Sequence, residues 1–395
     1  MSGLAILALL PLLAWIYLLT LHGGFWRARP CLDRAPGRLS EPLPSVVAVV
    51  PARNEADVIG AAVQGLLAQD YPGSLRILIV DDQSEDDTAA QAEAAAQAFG
   101  TAAHGIAILA TPTRPTGWVG KLWALESGCR SLGEPPDYWW FTDADIGHAP
   151  DTLGRLVAEA RSGQRSQVSL MVRLSCASAW ERLLIPAFVF FFQKLYPFPW
   201  VCANRRDTSA AAGGCMLVRT DDFAAAGGFP AMRGAVIDDC TLAANLRPAA
   251  RRAGRGLYLG LTLRSHSLRP YSGLGEIWRM VARSAYTQLR YSPLLLVATL
   301  LGMALLYLAP PALLLVGALA GDGPAAVLGG LTWLLMALAW VPTLRLYGLG
   351  PWRGLLLPLA GLLYSAMTFD SGRRHWQGKG AAWKGRVGAG KTPSA

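Results

Sequence analysis

Ser45-Val46-Val47-Ala48-Val49-Val50-Pro51-Ala52-Arg53-Asn54-Glu55 decides the fold. An uncharged run rich in valine, followed at once by a polar loop, reads as a strand buried on both faces, the kind found inside a parallel sheet. Leu75-Arg76-Ile77-Leu78-Ile79-Val80 repeats the pattern and runs into Asp81-Asp82-Gln83-Ser84-Glu85-Asp86-Asp87-Thr88. Between the two, residues 55–69 carry apolar side chains at helical spacing, with Asn54 as the expected N-cap. Parallel strands need such a crossover, so the stretch is one βαβ unit. A third strand around Ile106-Ala107-Ile108-Leu109, a helix over 121–130 and a strand at Tyr138-Trp139-Trp140-Phe141-Thr142 continue the alternation.

In open α/β sheets ligands bind at the carboxyl ends of the strands, and the chemistry-bearing residues of this chain fall there. The last strand ends in Asp143-Ala144-Asp145. On an extended chain, residues two apart point to the same side, so both carboxylates can share one hard cation, Mg2+ or Mn2+, which would neutralise a leaving diphosphate. A plain turn is the alternative for any single Asp-x-Asp. After the second strand, Ser84 or Asp86 can cap the alanine-rich helix that follows, while the consecutive acids Asp81 and Asp82 suit ribose hydroxyls or a base edge. Gly117-Trp118-Val119-Gly120-Lys121 puts a lysine at a helix start, a poor place for a cation unless an anion lies nearby.

Pro-Ala-Arg-Asn-Glu, Val-Asp-Asp-Gln-Ser-x-Asp-x-Thr, Gly-Lys-x-x-Ala-Leu and Asp-Ala-Asp, in this order, resemble the family 2 glycosyltransferases of GT-A fold over roughly residues 45–290. Gly117 to Leu125, with the flanking apolar segments, is most similar to the hopene-associated glycosyltransferase branch, near the ceramide glucosyltransferase-like enzymes. The resemblance implies an α/β, Rossmann-like nucleotide-diphospho-sugar transferase domain flanked by transmembrane helices. It implies donor binding by Pro51, Arg53, Glu55, Asp81, Asp82, Lys121 and Asp143, with Asp143 and Asp145 holding the metal diphosphate. The family's Glu-Asp motif stands here as Asp238-Asp239, with Asp239 at the position of the catalytic base and Asp238 a shorter arm than the usual Glu. A carboxylate there can accept the acceptor hydroxyl's proton. The same pair can also cap the following helix. Gly213-Gly214-Cys215-Met216-Leu217-Val218 resembles the acceptor-side strand. Processive and ceramide-type relatives carry Gln/Arg-x-x-Arg-Trp; this chain has Arg279-Met280-Val281-Ala282-Arg283-Ser284, in which Arg283 can pair with diphosphate oxygens or face solvent or lipid.

Composition sets the surroundings. Hydrophobic residues make up 52% and charged residues 16% of the 395, against roughly 45–50% and 25% in average soluble domains. The excess is clustered in 4–21, 294–320, 325–344 and 354–369, the last interrupted by Pro358. The expected layout is an anchor at 1–22, the transferase domain at 40–290, a membrane region of two or three spans at 291–370 and a basic tail at 371–395. Residues 1–3 offer no positive n-region, so the first segment reads as an uncleaved anchor. Arg27, Arg29, Arg34 and Arg38 follow it, which places the catalytic domain in the cytoplasm of a multi-pass inner-membrane protein. Scattered cysteines agree with a reducing compartment. The net charge of +9 flanks apolar segments and suits anionic membrane lipids rather than nucleic acid. Gly385 to Thr392 fits the phosphate-loop spacing but has no helix after it, since Pro393 follows. Leu183 to Val201, aromatic and broken by Pro186, Pro197 and Pro199, reads as an interfacial element guiding a lipid, with a plain core helix as the alternative. The expected partners are a nucleotide-diphosphate sugar, a lipid acceptor and membrane lipids; a processive polysaccharide synthase or a non-catalytic lipid-binding membrane protein are the alternatives.

Overall fold

The computed structural model describes residues 2–34, 39–100, 104–378, 382–383 and 386–387. Arg38, Lys379, Lys384, Lys391 and most of the phosphate-loop-like stretch lie outside the described residues. Two compact units are present. One comprises Met1–Arg29, Cys176–Pro199 and Tyr271–Gly380, the other Pro30–Ser175, Trp200–Pro270 and Ala381–Ala395. Residues 176–199 and 271–290, inside the span expected for a single α/β domain, therefore group with the helical unit.

The second unit is built on a mixed sheet of β1 (Val46–Ala52), β2 (Leu75–Asp81), β3 (His104–Ala110), β4 (Tyr138–Thr142), β5 (Ile146–His148), β6 (Arg165–Arg173), β7 (Cys215–Arg219) and β8 (Gly256–Ser267). Their spatial order is β3-β2-β1-β4-β7-β6-β8-β5. Every residue of β1 is buried, which is why its sequence shows no alternation. β1 runs parallel to β2 and β4, while β7 runs antiparallel to β4 with Thr142 opposite Cys215. The carboxyl ends of β1, β2 and β4 and the start of β7 thus share one edge of the sheet. The helix Gly120–Arg130 lies close on β1 and β2 because Gly128 has no side chain: a Cβ there would come within 2.7 Å of Val49.

Three expectations are corrected in this unit. The crossover helix begins at Ile59, not at Glu55. Asn54 is left-handed at φ 51° and does not cap it; its side-chain oxygen accepts from the Glu85 amide at 2.9 Å. The Asp-Ala-Asp segment is not extended but turns, with the Ile146 amide donating to the Asp143 carbonyl at 3.3 Å.

Among the described residues the helical unit holds four helices long and apolar enough to cross a membrane: Gly3–Thr20, Pro293–Leu319, Gly323–Leu346 and Pro351–Trp376. Each turns large apolar side chains outward, Leu10 and Leu13 on the first and Leu355, Leu359, Leu362 and Phe369 on the last. Residues 304–308 of the second have π-helical geometry. Pro310 has no N–H to give the Leu306 carbonyl, which instead accepts from the Trp15 indole at 2.9 Å. Contrary to expectation the stretch from 183 runs unbroken through Pro186 in the helix Ala179–Leu195, while the expected break does occur at Tyr196-Pro197, before the short helix Phe198–Cys202. A reciprocal Ser178–Glu181 capping box starts Ala179–Leu195, and Phe190 packs on Phe25.

Contacts inside this unit define its path. Pro293–Leu319 and Gly323–Leu346 form a hairpin, and Ser2 donates to Asp322 at its tip. From there Pro351–Trp376 starts beside the middle of Gly323–Leu346, where the Trp333 indole donates to the Leu355 carbonyl at 3.2 Å. Gly361 lies against Tyr307, and Gly372 against Leu296 at the open end of the hairpin. The final segment therefore runs from beside the middle of the hairpin back to its end away from Ser2.

Candidate functional site

The shared strand edge gathers acids around one lysine. Lys121, in the first turn of Gly120–Arg130, places its Nζ 2.8 Å from Asp143 and 3.1 Å from Asp238. Burial opposes its charge, yet Asp143, Asp238 and Asp239 outweigh that and raise its pKa above the ordinary lysine value. Asp238 and Asp239 open the helix Asp238–Arg252, where the unpaired amides of a helix start favour carboxylates. The two Asp239 oxygens accept from the Gly213 amide at 2.9 Å and the Cys240 amide at 2.7 Å. Capping and a catalytic role are thus compatible in one side chain. Burial and the neighbouring Asp238 push the Asp239 carboxyl up to about 6, against the pull of Lys121.

The loops after β1 and β2 interlock. Arg53 is buried and donates to the carbonyls of Asp82 at 2.6 Å and Gln83 at 2.8 Å, and it pairs with Glu85 at 2.9 Å. Its guanidinium holds the second loop in place. The Glu55 amide donates to Thr88 at 2.8 Å and the Ala56 amide to Asp86 at 3.2 Å. Asp86 also receives the Thr88 amide at 3.1 Å, while the N-cap of the helix Thr88–Phe99 is Asp87, with no side-chain cap bond, not Ser84 or Asp86. Ser84 donates to Asp81 instead. Asp82 is buried and accepts from Thr111 at 3.3 Å, while Asp81 is half-buried.

Asp145 sits among charges from three elements. Burial, Asp143 and Glu55 push its carboxyl up to about 6, and Arg269 draws it down. Arg269 pairs with Glu55. Burial is the largest part of the rise at Asp145; the part due to Asp143 and Glu55 is negative charge that a divalent cation would relieve. Among the described residues no group of three or more His, Cys, Asp and Glu side chains is arranged to hold a metal ion. Asp143 and Asp145 as a pair fit a hard ion that completes its shell with phosphate oxygens and water.

The structure brings together Asp143, Asp145, Lys121, Asp238 and Asp239, and joins Glu55 to Asp145 through Arg269. Pro51 pairs with Val80 inside the sheet, one residue before the edge. Arg283 belongs to the helical unit and is exposed on Leu274–Gln288. Arg269 escaped sequence reading because its partner Glu55 is 214 positions away and no motif surrounds it. A separate cavity of about 500 Å3, lined by Arg161, Arg165, Arg219, Arg255 and Tyr138, lies at the opposite ends of these strands and holds none of the site residues.

Residues 47–225 match the family described as Glycosyl transferase family 2. An N-acetylglucosaminyltransferase of Rhizobium leguminosarum bv. viciae is 33% identical over 140 residues, 35% of this chain and 31% of the relative. The chain thus spans about a third of that relative's length. A mannosyltransferase from Pyrobaculum calidifontis, solved with GDP-Man and Mn2+, superposes with a TM-score of 0.54 at 20% identity, covering 95% of this chain and 99% of that one. With the motifs at the carboxyl edge of a mixed α/β sheet, these likenesses show that the chain carries a family 2 glycosyltransferase domain with a GT-A-like fold.

Proposed function

We propose that the chain is a membrane-bound, inverting glycosyltransferase that moves a sugar from a nucleotide-diphosphate sugar to a lipid hydroxyl, with a hopanoid or related polycyclic lipid as acceptor class. The observation that carries this reading is Lys121 held between Asp143 and Asp238, with the raised carboxyl of Asp239 beside them. A base works best when its pKa lies near the working pH, and about 6 leaves Asp239 ionised at neutrality yet basic enough to take a hydroxyl proton. The Gly213 and Cys240 amides orient it. Attack on the anomeric carbon from the face opposite the diphosphate inverts that centre. Lys121 supplies positive charge where the leaving diphosphate develops negative charge. Asp81 and Asp82 offer acceptors to the nucleoside, with Arg53 shaping their loop. Arg283 is a donor-binding candidate on the motif resemblance alone. Mg2+ or Mn2+ held by Asp143 and Asp145 supplies Lewis-acid stabilisation of the diphosphate when bound.

The membrane reading rests on the four apolar helices and their outward side chains. Arg27 and Arg29 follow the first helix, a positive-inside signal that supports a cytoplasmic sheet unit. The contacts of the final segment support re-entry in place of a third crossing, with a cytoplasmic tail. The reading is tested by incubating membranes containing the chain with a panel of labelled nucleotide sugars, including GDP-mannose and N-acetylglucosamine and glucose donors, with Mn2+ or Mg2+. Extracted lipids are analysed by mass spectrometry. A lipid heavier by one sugar, absent with chelator, is expected; label confined to water-soluble polymer would favour a processive synthase.

A further inference from the structure

Behind the acidic turn lies a chain of side-chain hydrogen bonds that no step above uses. Thr142, the residue before Asp143, donates its hydroxyl to the Gly214 carbonyl at 2.8 Å. The same oxygen lies 2.8 Å from His148 Nε2, and His148 Nδ1 lies 2.8 Å from the Ser265 hydroxyl. A carbonyl can only accept, so the single Thr142 proton goes to Gly214 and His148 must donate from Nε2. Nδ1 of the neutral ring then accepts from Ser265. Every donor in the series has one acceptor.

His148 is fixed from several sides. It is the register partner of Ser265 across β5 and β8, and its ring lies 4.7 Å from that of Trp140. The helix Ile59–Leu67 presses on its backbone through Gly65, where a Cβ would stand 3.1 Å from the His148 carbonyl oxygen. Burial, helped by His266, pushes the ring down to about 3, so it stays neutral across ordinary pH.

The two ends of this chain of bonds meet the reacting groups. Thr142 adjoins Asp143, and Gly214 adjoins Gly213, whose amide holds Asp239. We infer that Ser265, His148 and Thr142 form a positioning relay that fixes the spacing between the metal-binding turn at Asp143 and the base Asp239. The inference rests on the function proposed above. None of the three touches substrate. Misplacing reacting groups by about 1 Å can cost on the order of a hundredfold in rate without loosening binding.

The test uses the full chain in nanodiscs. Thr142→Val keeps the shape of the side chain but removes both bonds, and Thr142→Ser keeps the hydroxyl. With donor and lipid found as above, Thr142→Val is expected to lower kcat by tenfold or more with donor KM within about twofold of the parent, and Thr142→Ser to restore it. Parental kcat in Thr142→Val, or a rise in KM alone, would overturn the relay. A second measurement needs no activity: imidazole 15N shifts of the full chain, with His148 assigned by its loss in His148→Gln. The expected signal is an Nε2–H tautomer that does not titrate between about pH 5 and 8. A proton on Nδ1, or titration in that window, would overturn the relay even if no sugar were transferred; a chain with that tautomer but no transfer would instead contradict the proposed function.

Discussion

As the proposed base, Asp239 answers two demands at once, since it would have to lose its proton near neutrality and still hold one tightly enough to accept the hydroxyl's. Burial and Asp238 raise its pKa, and Lys121 and two backbone amides keep it from rising further. Because the base form exists only above that pKa, turnover should fall as pH drops through about 6. Replacing Lys121 with Met removes the restraining charge, so the acid limb of the rate profile should move to higher pH; an unmoved limb would detach Lys121 from the base. Asp239→Asn keeps the shape but cannot take a proton, and a loss on the order of 10²–10⁴ in turnover with donor binding retained is expected. If Asp143 and Asp145 hold the metal as proposed, Asp143→Ala and Asp145→Ala each forfeit neutralisation of the diphosphate and should abolish transfer. Both residues lie in a half-exposed or charge-stressed turn, not in the apolar core. Melting temperatures close to the parent are therefore expected, and unchanged activity in excess chelator would end the metal assignment.

Glu181 shows how an element can depend on one buried acid. Its carboxylate accepts from the amides of Ala177 at 2.9 Å, Ser178 at 2.7 Å and Tyr271 at 2.8 Å. Tyr271 is 90 positions away, so the side chain ties the start of Ala179–Leu195 to the segment before Leu274–Gln288. Glu181→Ala leaves three donors without it, each bond to a charged group being worth about 1.5–3 kcal/mol. A clear drop in melting temperature of the detergent-solubilised chain is expected, and Glu181→Gln should recover part of it.

The same contrast explains what could be read in advance. The strand β1 was legible because burial on both faces leaves an unbroken apolar run, and β2 because only the exposed Arg76 interrupts its leucine and isoleucine run; the acids that follow had no packing reason to be there. Lys121 was legible for the same reason, as a cation at the wrong end of a helix. Asn54 misled because its side chain serves Glu85, a partner supplied by the next loop. Asp143 to Asp145 turn because β5 must begin at Ile146 and run back against β8. The bond from Ser265 to His148 spans 117 positions, and no local pattern marks it. Proline positions alone overstated the break in Ala179–Leu195, where one missing amide is outweighed by the packing of Leu184, Ile185 and Phe190.

At the scale of the whole molecule, charge and contacts bear on the same question. Three full crossings after the sheet unit would carry the basic tail outside, against the signal of Arg373 and Arg374. Asp370 pairs with both at 2.5 and 2.7 Å, yet lysine and arginine, not net charge, govern orientation. The contact of Gly372 with Leu296 returns the last helix to the side on which the hairpin opens, which is how a re-entrant segment satisfies both signals. Cysteine placed at Gly378 should resist an impermeant reagent in intact cells and react once they are opened, as should cysteine at Ser162. Labelling of position 378 in intact cells would mean that all three segments cross.

The claim that joins the two units is transfer to a lipid from the cytoplasmic face. The most direct measurement supplies labelled nucleotide sugar and Mn2+ to sealed inside-out vesicles and, in parallel, to right-side-out vesicles, all containing the full chain. The account predicts label in organic-extractable lipid from inside-out vesicles only, lost with chelator and in Asp239→Asn. Equal labelling in both orientations, or lipid labelling that survives Asp239→Asn, would contradict it.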